Sequence, residues 1–149
     1  MMPNPQPVLE NQISFKLYAL NRLIQKAYQP HLQTMGITYP QYLAMMVLWE
    51  EDGQTVNEIA RRLLLESNTV TPILQRLEQI GLVRRMPGCP DARQRIVSLT
   101  EKGLQMQAQA AVIPDSLADK LSGKDMDCQS ALSLSGLLDD FIRKMVSCR

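Results

Sequence analysis

The sequence predicts a mainly α-helical fold with a small β wing, and three observations predict it. Between Thr55 and Gly103 two short amphipathic stretches stand a few residues apart. Two β-favouring runs follow them around a Pro/Gly-rich turn. Helical periodicity then dominates the chain on both sides of this block. Helix, turn, helix and hairpin in that order make a winged helix-turn-helix, a fold whose second helix is shaped to enter a DNA major groove.

The elements follow in order. Residues 1–8 are polar and Pro-rich and read as a loose tail. Ile13, Leu17, Leu20, Leu23, Ile24 and Ala27 keep the 3.6-residue period, so a helix covers about 9–34 and ends at Met35-Gly36. Thr38 caps a second helix, with Pro40 just inside it and Gln41 at the capping-box position. That helix carries Leu43, Met46, Val47 and Trp49 and stops near Asp52-Gly53.

Val56 to Leu64 forms a short helix with Ile59, Ala60 and Leu63 facing inward, and Leu65-Glu66-Ser67 makes the turn. Ser67 or Asn68 caps the next helix, whose buried face is Val70, Ile73, Leu74, Leu77 and Ile80 and whose C-cap is Gly81. Leu82–Met86 and Ile96–Leu99 are the wing strands, joined by the turn cluster Pro87-Gly88-Cys89-Pro90-Asp91. Thr100 caps a helix that runs to about Val112, where Pro114 bends or breaks it. Helices over 114–121 and about 125–147 finish the chain.

Length and composition bound the function classes. A chain of 149 residues is a single domain with enough apolar content for a core. No run is long and apolar enough to span a membrane, and the first residues carry neither a basic nor an apolar signal region. A soluble cytoplasmic protein without membrane contact is the expectation. Cys89, Cys128 and Cys148 are widely spaced and His31 is the single histidine, so neither a zinc site nor a Cys/His nucleophile is expected. No paired carboxylates or nucleophile–base pair support an enzyme, and no cofactor or metal is implied.

Net charge is only +1, but the block from Thr55 to Ser98 holds seven arginines against four acids, +3, and no lysine. Arginine suits bidentate contacts to phosphates and bases. The apolar face of the second short helix leaves Ser67, Asn68, Thr69, Thr71, Pro72, Gln75 and Arg76 outward. That face is short and rich in hydrogen-bonding groups, as base-edge readout requires. Pro72 is expected in the first turn, where its missing N–H costs little. In the wing, Asp91 is placed to hold Arg93, a candidate for a minor groove, with Arg95 beside it and Arg84 or Arg85 as phosphate contacts. The plainer readings are a solvated helix face and a weak surface ion pair.

The run D-A-R-Q-R-I-V-S-L-T-E-K-G at 91–103 resembles the MarR family of winged-helix regulators. Farther upstream, L-Y-A-L-N-R at 17–22, A-Y-Q-P at 27–30, G-I-T-Y-P-Q-Y-L at 36–43 and V-L-W-E-E-D-G at 47–53 resemble its OhrR subgroup, the organic hydroperoxide-sensing repressors. The likeness covers about 10–146. It implies a recognition helix containing Ser67, Thr69, Thr71, Pro72 and Arg76, and a wing containing Asp91 and Arg93. It also implies a peroxide-reactive cysteine in the first helix, at the position of Ser14, with Tyr28 and Tyr39 as hydrogen-bond donors to its thiolate and Tyr18 in the same pocket.

A serine hydroxyl does not ionise near neutral pH and cannot become a sulfenic acid, so this chain is not expected to sense peroxide at Ser14. Two accounts stay open: an engineered cysteine-to-serine replacement locked in the DNA-binding state, or a natural regulator without redox sensing. Cys89, at the wing tip, is a candidate secondary redox handle.

The resulting expectation is a single domain over 1–149, with dimerisation helices in 1–34 and 104–149 around a DNA-binding core at 35–103. The expected partners are double-stranded DNA with a pseudo-palindromic operator, and a second copy of the chain that covers the apolar stripe Leu132, Leu134, Leu137, Leu138, Phe141, Ile142 and Met145. The alternatives are a non-redox regulator binding a phenolic or lipid-like ligand at Tyr18, Tyr28 and Tyr39, and a winged-helix protein-interaction module.

Overall fold

The computed structural model describes residue 8 and residues 12–121 and 128–148. The tail over 1–7, the helix start at 9–11 and the start of the last helix at 125–127 lie outside the described residues. Seven helices and three strands are present among those described: α1 (Ile13–Met35), α2 (Tyr39–Glu50), β1 (Gln54–Thr55), α3 (Val56–Leu63), α4 (Ser67–Gln79), β2 (Val83–Pro87), β3 (Arg95–Leu99), α5 (Glu101–Ala110), α6 (Val112–Leu121) and α7 (Cys128–Ser147). The chain falls into two compact units, one ending at Ile113 and one beginning at Pro114.

Local chemistry sets most of these boundaries. Gly36 ends α1 in the left-handed conformation, φ 73°, and its N–H bonds back into the last turn. Thr38 and Gln41 form the expected capping box of α2. Thr55 and Glu58 form a second one at α3, satisfying two otherwise orphaned N–H groups. Leu64 ends α3 at φ 57°, a conformation that side chains beyond glycine and asparagine seldom take.

Several expectations are corrected. The residue at the N-cap of α4 is Glu66, and its side chain makes no cap bond. Ser67 is already helical, and its hydroxyl bonds the Asn57 side chain of α3 instead. Pro72 is therefore the sixth residue of α4, beyond the first turn, and removes a backbone bond that would have reached the Asn68 carbonyl. The helix tolerates this loss on its exposed side. The break after α5 comes at Ala111, and Pro114 lies in the first turn of α6, where it has no helical bond to lose.

The wing has a third strand. β1 pairs with β3 antiparallel, Gln54 against Val97, and β3 pairs with β2, giving the order β1-β3-β2. The buried Gln54 amide donates to the carbonyls of Val47 and Glu51, fastening this short strand to the end of α2.

The core of the first unit gathers Leu32 of α1, Met45 and Leu48 of α2, Ile59 of α3, Val70, Leu74 and Leu77 of α4, Leu82, Val83 and Val97 of the wing, and Ile113. In α4 this is the predicted face, with Ile73 and Ile80 at its margin. In α2, Val47 is buried, Leu43 and Trp49 are half-buried and Met46 is exposed, while Tyr42, Ala44, Met45 and Leu48 are also buried. An almost wholly apolar helix carries no phase that its sequence can report. The amphipathic α1 and α7 leave Leu17, Leu20, Leu23, Leu132, Leu137 and Phe141 exposed within one chain.

Candidate DNA interface and sensor pocket

α4 and the wing meet around a groove of about 280 Å³ lined by Ser67 and Thr71 of α4, Arg85, Arg93, Gln94 and Arg95 of the wing, Thr55 of β1, and Val56 and Asn57 of α3. Helix packing aims the apolar face of α4 inward, so Asn68, Thr69, Pro72, Gln75 and Arg76 stand exposed beside it. Their hydrogen-bonding capacity is not all free. The Thr71 hydroxyl donates to the Ser67 carbonyl at 2.8 Å, and the Arg76 guanidinium donates to Gln79 at 3.3 Å.

In the wing, Asp91 accepts the Arg93 N–H at 3.0 Å and stands 3.5 Å from the Arg93 guanidinium. Arg93 itself is 95% exposed, so the pair steers the side chain without burying it. Arg95 and Arg84 are also exposed. Arg85 is different. Its guanidinium is 22% exposed and donates twice to Glu78, at 3.0 and 3.2 Å, while its N–H donates to the same carboxylate at 2.9 Å. These donors, the backbone N–H foremost, hold the Glu78 carboxyl below the usual carboxylate range. Sequence reasoning missed Asn57, Gln94 and Glu78. Asn57 and Gln94 carry no periodic signal, and Glu78 reads as an ordinary helical acid until β2 folds back on α4.

The residues assigned to the sensor fall into two groups within one chain. Ser14 and Tyr18 lie one turn apart near the start of α1, both exposed, with the Arg22 guanidinium 5.6 Å from the Tyr18 ring centre. Tyr28 and Tyr39 lie elsewhere, 6.0 Å apart and each about 6.2 Å from the buried Tyr42, which in turn meets Trp49 edge-on at 6.4 Å. Fourteen residues separate Ser14 from Tyr28 on α1, which is about 21 Å of helix at about 1.5 Å per residue. One chain therefore does not gather the expected four-residue pocket.

Burial raises the hydroxyl pKa of Tyr28, Tyr39 and Tyr42, and their mutual proximity adds to the effect at Tyr28 and Tyr42. All three stay neutral hydrogen-bond donors well past physiological pH. Tyr42, which the sequence reading did not single out, is a buried core residue as well as a member of this cluster. Cys89 and Cys148 are exposed free thiols.

Residues 37–94 match the model of the MarR family. The organic hydroperoxide resistance transcriptional regulator of Bacillus subtilis (strain 168) is 44% identical over 120 residues, covering 79% of this chain and 82% of that protein. The HTH-type transcriptional regulator TtmR of Methylorubrum extorquens (strain PA1) is 40% identical over 134 residues, 89% of this chain and 68% of that protein. A solved structure of reduced AbfR bound to DNA matches with a TM-score of 0.77 at 37% identity, covering 93% of this chain and 94% of that one. The mostly helical architecture of the present chain, with its small antiparallel sheet, is that of winged-helix regulators. With relatives this similar along most of their length, the chain belongs to the MarR family of transcriptional regulators.

Proposed function

We propose that the chain is a homodimeric, sequence-specific transcriptional repressor of the OhrR type, with residues 35–103 as the DNA-reading core. The observation that carries this reading is the groove in which the hydroxyl-bearing start of α4 meets the wing arginines. The α4 helices of two protomers enter successive major grooves, with Ser67, Asn68, Thr69, Thr71, Pro72, Gln75 and Arg76 toward the bases. Arg93, steered by Asp91, enters the flanking minor groove, where a narrow A/T-rich groove concentrates negative potential. Arg84 and Arg95 face phosphate. Reduced AbfR, 37% identical, was solved bound to DNA, which supports the same role here.

A second copy of the chain covers the exposed apolar residues of α1 and α7. The helical separation of Ser14 from Tyr28 supports a sensor shared between copies, with Ser14 and Tyr18 of one protomer near the tyrosine cluster of its partner. With cysteine at this position, a thiolate held by neutral tyrosine hydroxyls attacks an organic hydroperoxide. Its sulfur bonds to the terminal peroxide oxygen, the O–O bond breaks, and the departing alkoxide takes a proton to leave as an alcohol. The sulfur is oxidised to a sulfenic acid. Ser14 cannot take this step, so the chain as it stands remains in the DNA-binding state.

Fluorescence anisotropy on operator-like DNA, with this chain and with Ser14→Cys, each before and after an organic hydroperoxide, tests the reading. Release of DNA by the Cys variant alone is expected. Binding by both with release by neither removes the redox reading and leaves a phenolic or lipid-like ligand near the tyrosines as the inducer class.

A further inference from the structure

One acid stands behind the arginine-lined groove. Glu78 is in the last turn of α4, and its carboxylate takes three donors from a single wing residue: the Arg85 N–H, Nε and Nη2. The first of these has a structural reason. β2 is an edge strand of the sheet β1-β3-β2, and an outward N–H on an open edge has no ladder partner. Glu78 supplies the missing acceptor and thereby fastens the open edge of the wing to the recognition helix. The other two bonds take the Arg85 guanidinium, which lines the groove with Arg93 and Arg95, and turn it toward α4. Arg84, the neighbouring residue on the opposite face of β2, is exposed and meets no such acid among the contacts described.

We propose that Glu78 is a positioning residue for flank recognition: by clasping Arg85 it sets the wing against α4 and withholds that guanidinium from DNA phosphates. This rests on the DNA-binding reading above. Two consequences follow, and they differ in kind. A wing fixed by a two-point clasp presents Arg93 at one height and angle relative to the bases read by α4, which sharpens preference for a narrow flanking groove. A guanidinium neutralised by Glu78 adds nothing to the sequence-independent phosphate attraction, so one of the seven arginines of the block is excluded from the counterion-release term. Glu78 thus lowers non-specific affinity while raising discrimination.

Glu78→Gln tests this. It keeps the size of the side chain and one acceptor for the Arg85 N–H but removes the charge. The probes are two duplexes of about 30 base pairs, long enough for two half-sites. They share one pseudo-palindromic centre selected from a randomised pool by the native chain, and carry either A-tract or G/C flanks. Anisotropy titrations over a range of salt give the affinity ratio between flanks and the slope of log affinity against log salt.

For Glu78→Gln the flank ratio is expected to fall several-fold toward one, while the salt slope steepens by about one unit as Arg85 reaches a phosphate. A second variant, Glu78→Gln with Arg85→Gln, is expected to return the slope to the native value without restoring the flank ratio. A destabilised fold would weaken both duplexes equally and leave the slope unchanged, and that result overturns the proposal. So does a Glu78→Gln protein with native flank ratio and native slope. A native chain that prefers neither flank overturns the wing assignment beneath the proposal, and one that selects no duplex from the pool overturns the DNA-binding reading itself.

Discussion

Gly103→Ala is the substitution whose sign the structure decides against local propensity. Gly103 is the third residue of α5, where alanine would ordinarily favour the helix by about 1 kcal/mol. A Cβ built there lies 2.1 Å from the Leu82 carbonyl oxygen and 3.3 Å from the Leu99 side chain. The carbonyl cannot retreat. Leu82 is 1% exposed, its N–H donates to the Leu77 carbonyl at 2.9 Å, and its oxygen accepts the Thr100 N–H at 3.1 Å.

The start of α5 must therefore lift by about 1 Å or more to reach ordinary C···O contact near 3.3 Å. That shift breaks the Thr100–Leu82 bond and the 2.9 Å bond from Trp49 Nε1 to the Gly103 carbonyl. Overpacking costs about 1–3 kcal/mol, and the two hydrogen bonds contribute about 1 kcal/mol each. After the propensity gain, the net loss is about 2–4 kcal/mol, or roughly 6–12 °C in midpoint for a chain of this size. Thermal denaturation at one fixed chain concentration measures it, because a protein that self-associates, as proposed here, has a concentration-dependent midpoint. Fluorescence of Trp49, the single tryptophan, reports the lost bond directly. A midpoint equal to or above the native one, with unchanged Trp49 emission, would refute the close approach and the reasoning built on it.

Two further outcomes concern the interface and the tyrosines. Arg93→Ala should leave the denaturation midpoint nearly unchanged, since the side chain is almost fully exposed, yet weaken operator binding and flatten the preference for A/T-rich flanks; equal affinity would remove Arg93 from the interface. Burial raises the pKa of Tyr28, Tyr39 and Tyr42, so the stability they contribute is complete below about pH 10, the ordinary tyrosine value, and is lost as pH rises through their higher folded values. Phenolate absorbance of the folded protein should lag behind that of the unfolded chain, and coincident titrations would argue against the cluster.

Much of the fold is legible in the sequence because its signals are local. Thr38 with Gln41 and Thr100 before Glu101 mark helix starts through bonds that span three residues, and the structure shows those bonds. Val70, Leu74 and Leu77 mark the buried side of α4 through spacing alone. What the sequence could not decide depends on groups far apart in the chain. β1 exists because Gln54 and Thr55 meet Val97 and Ile96, some forty positions on. The phase of α2 was open because nearly every residue in it is apolar, so only its neighbours select Ala44, Met45 and Leu48 for burial.

The candidate site divides in the same way. Sequence by itself singled out the candidate residues: the polar outward face of α4, the Asp91–Arg93 pair two residues apart, and Ser14, where the resemblance implies a cysteine. Tertiary structure decided how they are grouped. It brought Ser67 and Thr71 beside Arg93 and Arg95, turned Arg85 onto Glu78, and placed Tyr42 between Tyr28, Tyr39 and Trp49. It also left Ser14 a long stretch of helix away from those tyrosines. The physical reason is range: caps and periodicity act within one or two helical turns, whereas a groove or a clasp exists only after loop closure has brought distant segments within a few ångströms.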